Sequence, residues 1–288
     1  MKVIERIADM KALSRLAAGR GKKVVLVPTM GALHEGHLML LRKGRELGDV
    51  LVVSIFVNPA QFGPSEDYSR YPRDIERDLA LARKEGVDVV FSPRAEEMYP
   101  GGYQTFVEVE ELSRRLCGLS RPGHFRGVAT VVVKLFNTVL PRVAVFGLKD
   151  YQQQLIVKRL VRDLNMDVEI VTVETVREGD GLAMSSRNRY LGEAERKAAA
   201  CIPRSMVAAG ELFAAGERDA EKLIGRMRGI IAEEPLAAVD YLKICDPVTL
   251  DELGEADEGS LVVLAVKIGG TRLIDNCILG RNCVKIRN

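Results

Sequence analysis

Short runs of apolar residues, rich in Val and Ile, recur through the first 176 residues and alternate with segments of helical periodicity. Most runs are continuously apolar rather than alternating, which is typical of parallel strands that are covered on both faces. The runs lie at 23–28, 50–57, 87–93, 142–147 and 167–176. The helical segments lie at 72–85, 128–140 and 150–164. This order predicts an α/β fold with a doubly wound, Rossmann-like parallel sheet.

The pattern changes after about residue 176. Residues 193–232 are nearly all helix formers, 239–247 contain one further apolar run, and 260–279 predict an antiparallel hairpin that turns at Gly269–Gly270. We therefore expect a second, smaller α+β domain. The predicted domains are 1–176, which is Rossmann-like, and 177–288, which is the smaller C-terminal domain.

The composition, with 47% hydrophobic and 28% charged residues, is that of an ordinary soluble globular protein. The 42 basic residues nearly balance the 40 acidic ones. This balance argues against a dominant nucleic-acid or membrane surface, because such surfaces show a strong basic excess. A local basic pocket for a small polyanion stays compatible with it. No apolar stretch approaches the ~18 residues of a membrane-spanning helix.

Cysteine usage and the amino terminus indicate the compartment. The five cysteines form no Cys-x-x-Cys pair. The amino-terminal residues 1–23 are amphipathic and charged, without the apolar core of a signal peptide. We therefore expect reduced thiols and a cytoplasmic protein.

Two of the three histidines, His34 and His37, stand three residues apart directly after the first apolar run. A helix is expected to begin near Glu35–Gly36, and residues three apart on a helix share a face. In open α/β sheets ligands bind at the carboxyl ends of strands, and the free N–H groups of a helix start favour phosphate. The Gly-x-Gly-x-x-Gly fingerprint is missing here, so a nicotinamide site is not indicated.

Two other interpretations of the histidine pair stay open at this point. A His-x-x-His pair can bind a metal ion, but the only other histidine is His124 and no cysteine lies nearby in sequence. Alternatively, both residues are incidental capping residues of the helix.

Polar and charged residues also follow two later strands. Lys149 and Asp150 come directly after the run that ends at Gly147; the lysine suits a phosphate, and the aspartate suits a helix cap or a ribose hydroxyl. The segment 181–191 follows the last strand and offers two hydroxyls and a guanidinium in Ser185–Arg187, which are good phosphate donors. A solvated lysine with a routine cap, and an interdomain turn, are the alternatives.

Two polar loops complete the candidates. In 56–74, Asn58 and Gln61 are neutral hydrogen bonders suited to hydroxyl and carboxylate groups, and a purely structural loop is equally compatible with this composition. The loop at 120–128 either supplies positive potential or is an exposed turn. Its candidate residues are Arg121, His124 and Arg126.

Six segments carry a resemblance when they are taken together and in order. They are PTMGALHEGH, SIFVNPAQFG, YPRD, RPGHFRGV, FGLKDYQQ and DGLAMSSRNRYL. With them the chain resembles the pantoate–β-alanine ligase (pantothenate synthetase) family over essentially its whole length, most densely from 24 to 191. His34, Gly36 and His37 match the His-x-Gly-His motif of the nucleotidylyl-transferase group, to which this family belongs.

The resemblance implies a two-step reaction that depends on ATP. The carboxylate of pantoate attacks the α-phosphorus of ATP, which gives enzyme-bound pantoyl adenylate and pyrophosphate. The amine of β-alanine then attacks the acyl carbon, and pantothenate and AMP are released. The resemblance also implies Mg²⁺ with the ATP and a homodimer. We expect the domain 177–288 to act as a lid over ATP.

The resemblance further implies roles for single residues. The catalytic residues would be His34, His37, Lys149 and Arg187. The same four residues would bind ATP together with Met30, Gly31, Ala32, Leu33, Glu35, Gly36, Gly147, Leu148, Asp150, Val176, Met184, Ser185 and Ser186. Gln61 and Gln153 would hold pantoate, with Asn58 as a further substrate-binding residue. No set of residues predicts a self-sufficient metal site, in keeping with the preference of Mg²⁺ for water and substrate oxygens.

Position 148 departs from the family pattern, because Leu148 stands where a polar or acidic residue is common. Nucleotide affinity should differ only if this side chain contacts the nucleotide. If the residue contributes only its backbone, little changes.

Other functions are weighed against this one. A nucleotidylyl transferase for a phosphorylated acceptor would use the same histidines but should carry Arg or Lys where Gln61 and Gln153 stand. A regulatory nucleotide-sensing or metal-binding protein would keep the phosphate contacts without turnover. An aminoacyl-tRNA synthetase is disfavoured by the length and the near-neutral charge.

Overall fold

The computed structural model describes residues 1–64, 66–281 and 283, and these fold into two compact units. The first unit contains Met1–Leu148 and Gln152–Glu174. The second contains Lys149–Tyr151 and the chain from Thr175 onwards. The sequence placed its boundary at residue 176; the functional assignment of the two predicted domains stays a prediction.

A parallel sheet of six strands forms the centre of the first unit. Its strands are β1 (Lys2–Ile4), β2 (Val24–Thr29), β3 (Val50–Ile55), β4 (Val89–Phe91), β5 (Val143–Gly147) and β6 (Glu169–Val173). They lie in the order β1-β4-β3-β2-β5-β6. β2 and β3 pair in register from Val24 opposite Val50 to Thr29 opposite Ile55. The predicted doubly wound parallel sheet is confirmed.

Helices connect these strands because each connection between parallel neighbours must cross over the sheet. The helices are α1 (Ile7–Gly19), α2 (Glu35–Leu47), α3 (Ile75–Lys84), α4 (Ala95–Met98), α5 (Glu110–Ser113), α6 (Cys117–Ser120), α7 (His124–Val139) and α8 (Tyr151–Asp163). α2 buries Leu38 and Leu41 in a core cluster that includes Val25 and Val27 of β2. In the described part of the chain, no helix is both long and apolar enough to cross a membrane.

The starts of two helices differ from the predicted ones, and capping explains both. α3 begins at Ile75 because the side chain of Asp74 accepts a hydrogen bond from the N–H of Arg77, which places the N-cap after the predicted Pro72. α7 begins at His124, four residues before the predicted start, because Gly123 adopts φ = +81° and turns the chain into the helix. The short edge strand β1 was not predicted, since three residues, of which two are exposed, carry no pattern.

The second unit packs helices against an antiparallel sheet of three strands. The strands are β7 (Ala237–Cys245), β8 (Leu261–Ile268) and β9 (Thr271–Ile278), in the order β7-β8-β9, and the helices are α9 (Glu193–Ala198), α10 (Cys201–Ala214) and α11 (Ala220–Ala232). Its core includes the buried side chains of Ile202, Met206, Leu223 and Leu264. The predicted smaller α+β part of the chain is thus confirmed.

Two of the cysteines differ from the expectation. Cys277 and Cys283 form a disulfide, whereas Cys117 and Cys201 are buried free thiols and Cys245 is also buried. The prediction of reduced thiols is therefore wrong for this one pair. The pair was missed because its members stand six positions apart in sequence, and only the turn after β9 brings them together.

Candidate active site

The order of the strands reverses at β2, which lies between β3 and β5. Ligands of open α/β sheets bind beyond the carboxyl ends of strands at such a reversal. Three of the predicted segments follow strands at this edge: Met30–His37 follows β2, Asn58–Gln61 follows β3, and Gly147 is the last residue of β5. The topology of the first unit therefore brings these segments to one edge of the sheet.

The loop between β2 and α2 turns sharply. The Thr29 hydroxyl donates to the carbonyl of Ser54 at 2.7 Å and accepts the N–H of Gly31 at 3.2 Å. Gly31 and Ala32 then take φ values of +83° and +52°, which are left-handed and rare for alanine. The carboxylate of Asp78 accepts the N–H groups of Ala32 and Leu33, both at 2.7 Å. These bonds hold the loop in an unusual conformation just before α2.

The two histidines lie together at the start of α2. Their ring centroids are 4.1 Å apart with an interplanar angle of 36°, so the imidazoles share a face as predicted. Nδ1 of His37 accepts the backbone N–H of His34 at 3.3 Å. A nitrogen that accepts carries no proton, so the neutral His37 ring carries its proton on Nε2. This tautomer makes Nε2 a hydrogen-bond donor of the kind that a phosphate oxygen requires.

The predicted ATP-binding residues 30–37 are not equally accessible. Ala32 and Leu33 are 0% exposed and give their N–H groups to Asp78, so in this structure they support the loop. The carboxylate of Glu35 pairs with Arg42. Glu35 would therefore bind an anion through its backbone rather than through its side chain. Met30, His34, Gly36 and His37 are half-buried. Contact of each residue with ATP stays a prediction.

The side-chain amide of Asn58 makes its hydrogen bonds to groups inside the protein. Its Nδ2 donates to Oε1 of Gln61 at 3.0 Å and to the carbonyl of Gly127 at 3.1 Å. Its Oδ1 accepts the hydroxyl of Tyr99 at 2.8 Å and the N–H of Ala60 at 3.3 Å. The amide has two donors and two acceptor positions, so all four are used. Asn58 therefore orients Gln61, and the predicted direct contact with substrate would require one of these bonds to break.

Gln61 is held from both ends. Its side-chain Oε1 faces Asn58, its Nε2 lies 3.2 Å from the Met30 sulfur, and its backbone carbonyl accepts Nδ1 of His124 at 2.8 Å. Arg121 donates to the other ring nitrogen of His124, Nε2, at 3.1 Å. A carbonyl only accepts and an arginine only donates, so His124 is neutral with its proton on Nδ1.

Arg121 is in turn fixed by Glu66. The guanidinium makes two parallel bonds of 2.6 Å to the carboxylate. Burial opposes the ionisation of Glu66, but the hydrogen bonds and charge of Arg121 outweigh it and hold the pKa of Glu66 below its ordinary value. The loop at 120–128, whose role the sequence left open, thus supports the segment that carries Gln61.

A close approach of backbones sets the position of Gln61. A Cβ atom added to Gly127 would lie 2.1 Å from the carbonyl oxygen of Ala60 and 2.6 Å from the nitrogen of Gln61. We expect Gly127→Ala to lower the free energy of unfolding by about 1–3 kcal/mol, the usual cost of overpacking, and to raise KM for the substrate that the family resemblance assigns to Gln61. Urea unfolding and steady-state kinetics measure the two effects.

Gly225→Ala is the matched control for this substitution. Gly225 lies inside α11, and no atom lies within 4 Å of the added Cβ. The control should stabilise the protein by about 0.5–1 kcal/mol, because alanine favours a helix interior, and should leave KM unchanged. Equal unfolding midpoints and equal KM values in both variants would contradict the prediction.

Two neighbouring glutamines of α8 differ in their burial. Gln152 is buried; its Nε2 donates to the carbonyls of Leu112 and Arg115, and its Oε1 accepts the N–H of Cys117. Gln153, to which the family resemblance assigns pantoate, is half-buried in the first turn. Gln152 is therefore structural, and the role of Gln153 stays a prediction.

In the second unit, Lys149 is anchored through its backbone. Nδ2 of Asn276 on β9 donates to the carbonyl of Lys149 at 2.8 Å, and the Tyr151 hydroxyl donates to the carbonyl of Pro247 at 3.1 Å. The ammonium of Lys149 lies 3.7 Å from Asp150. Residues 148–150 form a short 3-10 turn before α8, as the predicted helix start requires. The Leu148 side chain is half-buried.

The segment with Ser185–Arg187 is braced by ion pairs of the second unit. Arg177 pairs through two bonds with Asp275, which is 1% exposed, and donates to the carbonyl of Gly181 at 2.9 Å. Val176 accepts the N–H of Met184 at 2.9 Å, which closes the loop. The Ser185 hydroxyl caps the following 3-10 turn by accepting the N–H of Arg187 at 3.2 Å. The loop that presents these residues is therefore well supported.

Sequence reasoning missed three supporting residues: Asp78, Asn276 and Asp275. Each is a polar residue inside a helix or strand, and each makes contacts to segments far away in sequence. One signal was available for Asp78, since an aspartate on the apolar face of a helix is unusual and usually has a buried partner.

Comparisons with known proteins agree with the topology and the motifs. The family model described as Pantoate-beta-alanine ligase matches residues 2–278. The chain belongs to the pantoate–β-alanine ligase family. The pantothenate synthetase of Geobacter sulfurreducens is 57% identical over 280 residues, which cover 97% of this chain and 99% of that protein. That of Pelotomaculum thermopropionicum is also 57% identical, over 98% of this chain and 100% of its own length.

Solved structures extend the comparison to three dimensions. The pantothenate synthetase of Thermus thermophilus superposes with a TM-score of 0.92 at 45% identity, covering 96% of this chain and 99% of that one. The pantoate–β-alanine ligase of Francisella tularensis, described as complexed with beta-gamma ATP and β-alanine, gives a TM-score of 0.80 at 33% identity, with coverage of 96% and 97%. The family, fold and ligase function expected from the sequence are confirmed.

Proposed function

We propose that this pantoate–β-alanine ligase proceeds through an enzyme-bound pantoyl adenylate. A carboxylate oxygen of pantoate bonds to the α-phosphorus of ATP, and the bond to pyrophosphate breaks. The amine of β-alanine then bonds to the acyl carbon, the bond to AMP breaks, and the amine loses a proton. The observation that carries the proposal is the stacked pair His34 and His37 at the start of α2, beyond the strand where the sheet order reverses.

This chemistry needs orientation and charge neutralisation more than a protein nucleophile. The start of α2 supplies free N–H groups and the positive end of the helix dipole. His34 and His37 contact the phosphates of ATP. The Nε2 proton of His37 donates to an oxygen whose negative charge grows as pyrophosphate departs.

Further cations act on the same charge. Lys149 and Arg187 stabilise the α-phosphate and the pyrophosphate, and the hydroxyls of Ser185 and Ser186 donate to phosphate oxygens. Leu148, Asp150, Gly147, Val176 and Met184 contact the nucleoside. The backbone of Leu148 makes its contact, so an apolar side chain at this position is acceptable.

Gln61 and Gln153 bind pantoate. A neutral amide suits its hydroxyl and carboxylate groups, because it donates and accepts without adding a charge that would weaken the nucleophile. The network of Asn58, His124 and Arg121 limits the positions available to Gln61, so its amide is presented in one orientation. Such restriction favours a single pose of pantoate.

Magnesium accompanies ATP as part of the substrate. Within the described residues, no group of three or more His, Cys, Asp or Glu side chains is arranged to hold a metal ion. Phosphate oxygens and water would therefore supply most ligands of Mg²⁺, as is usual for this ion.

We also propose that the enzyme acts in the cytoplasm as a homodimer and that residues 177–288 close over ATP. Light scattering tests the dimer.

Isotope transfer tests the proposed route. Pantoate labelled with ¹⁸O in its carboxylate, incubated with MgATP and β-alanine, should yield AMP with one labelled oxygen and should yield pyrophosphate without label. AMP formation should require pantoate, and pantothenate should form only when β-alanine is added. Mass spectrometry of the nucleotide measures the label.

Three results would contradict this route. ADP and phosphate as products would indicate an acyl phosphate in place of an adenylate. Equal AMP release with unrelated carboxylates would defeat the assignment of pantoate. Binding of ATP without any turnover would indicate a nucleotide-sensing protein.

A further inference from the structure

The strongest remaining feature is a buried carboxylate behind the histidine loop. Asp78 lies on α3 and is 1% exposed. Its two oxygens accept one backbone N–H each, from Ala32 and Leu33, both at 2.7 Å. Asp78 is 46 residues from Ala32 in sequence, so the helix reaches across to a loop that it does not adjoin. A buried carboxylate is costly unless it is matched in this way.

The loop needs this support because of its own conformation. Ala32 has φ = +52°, which costs an L-residue about 1–2 kcal/mol relative to a right-handed conformation. Strained residues persist only where their surroundings over-determine them, and they cluster at sites that bind ligands. Here the two bonds to Asp78 orient the peptide groups that directly precede His34.

The carboxylate packs closely against Gly31. A Cβ atom added to Gly31 would lie 2.9 Å from Oδ2 of Asp78 and 3.0 Å from Cγ2 of Ile55.

Burial raises the pKa of Asp78, whereas the N–H groups of Leu33 and Ala32 and the charge of Arg77 lower it, and burial dominates. Arg77, the preceding residue, adds a third bond by donating to the carbonyl of Leu33 at 3.0 Å.

We propose that Asp78 is a positioning residue for ATP, which acts by fixing the loop that presents His34 and His37. This rests on the proposed role of the two histidines in phosphate binding. The chain from Asp78 to the histidines is short, since Leu33 precedes His34 directly. A shift of these peptide groups would move the start of α2 and both imidazoles.

Asp78→Asn tests the proposal with almost no change of shape. The asparagine keeps one oxygen to accept one N–H, but its amide nitrogen faces the other N–H and cannot accept it. KM for ATP should rise by about 10- to 100-fold, the effect of leaving a buried donor without its acceptor. KM for β-alanine should stay within about twofold of the starting value, because a purely structural loss lowers the amount of folded enzyme without changing one KM selectively.

Asp74→Asn is the matched control. Asp74 is exposed on the same helix, and the substitution removes the same charge while asparagine remains a good N-cap. Its kinetics should equal those of the unchanged enzyme. If Asp78→Asn does not fold, Arg77→Met removes the third bond, together with the positive charge beside Asp78, from an exposed residue, and should raise KM for ATP by about two- to fivefold.

A second readout is independent of turnover. Hydrogen exchange at the amides of Ala32 and Leu33 should be faster in Asp78→Asn and unchanged in Asp74→Asn, because only the first substitution removes an acceptor. Unchanged exchange, or equal changes of every KM, would overturn the positioning role. Faster exchange with an unchanged KM for ATP would overturn the link to ATP, whereas absence of pantoate-dependent turnover in the unchanged enzyme would defeat the proposed function instead.

Discussion

Replacing His37 by Ala should lower the rate of pantoate-dependent pyrophosphate release by a factor of about 10²–10³. This is the usual loss when one preorganised donor to a developing negative charge is removed. The structure gives the reason: Nδ1 of His37 is engaged by the N–H of His34, so the ring directs a donor, Nε2–H, away from the backbone. Rapid-quench measurement of the first turnover separates this step from product release.

Two further substitutions at this position separate the donor from the helix cap. In His37→Asn the amide oxygen can replace Nδ1 as acceptor for His34, but no group takes the place of Nε2. In His37→Gln the amide nitrogen can reach the place of Nε2. We expect Asn to be as slow as Ala and Gln to recover part of the rate. A fast Asn variant, folded as judged by circular dichroism, would remove Nε2 of His37 from the chemistry.

Replacing Lys149 by Ala should have an effect of similar size, about 10²–10³-fold on the same step. The ammonium is the only polar group lost, and the residue should keep its position, because that position depends on its backbone carbonyl, which Asn276 holds at 2.8 Å. The variant should therefore fold normally and lose the charge alone. Lys149→Arg should recover part of the rate, since it restores a cation with a different shape.

Lys158→Ala provides the matched control for charge. Lys158 is an exposed residue of α8, so its removal changes the net charge equally without changing the first turn of the helix. The control should keep the full rate at moderate ionic strength, where distant surface charges are screened. If both lysine variants slow the reaction to the same extent, general electrostatic attraction of ATP explains the effect. A specific contact of Lys149 with the phosphates would then be excluded.

Five of the six strands of the first unit, and its helices α2, α3, α7 and α8, were predictable because their signals are local. A continuously apolar run must be covered on both faces, which selects a buried parallel strand, and β2, β3 and β5 follow this rule. β1 was not predicted because it has only three residues, and it forms a strand through its pairing with β4, which is distant in sequence. The starts of α3 and α7 moved because capping at Asp74 and Gly123 outweighs the periodicity of the apolar residues.

The candidate site was predictable in part. His34 and His37 could be placed on one face because they stand three positions apart, and their ring centroids indeed lie 4.1 Å apart. The difference between Asn58 and Gln61 was not predictable, since both are neutral amides in one loop. Their environments differ: Asn58 uses all its hydrogen-bonding groups within the fold, and it thereby orients Gln61.

The fold class and the family follow from the amino-acid sequence, which also selects the candidate residues for charge and hydrogen-bonding chemistry, because periodicity and motifs are properties of neighbouring residues. Which groups support the others is settled by the folded chain alone. Asp78 meets Ala32 across 46 residues, and Asn276 meets Lys149 across 127. The reason is that a buried polar group can form its hydrogen bond with any partner that the fold brings within reach. When that partner is distant along the chain, the local sequence does not identify it.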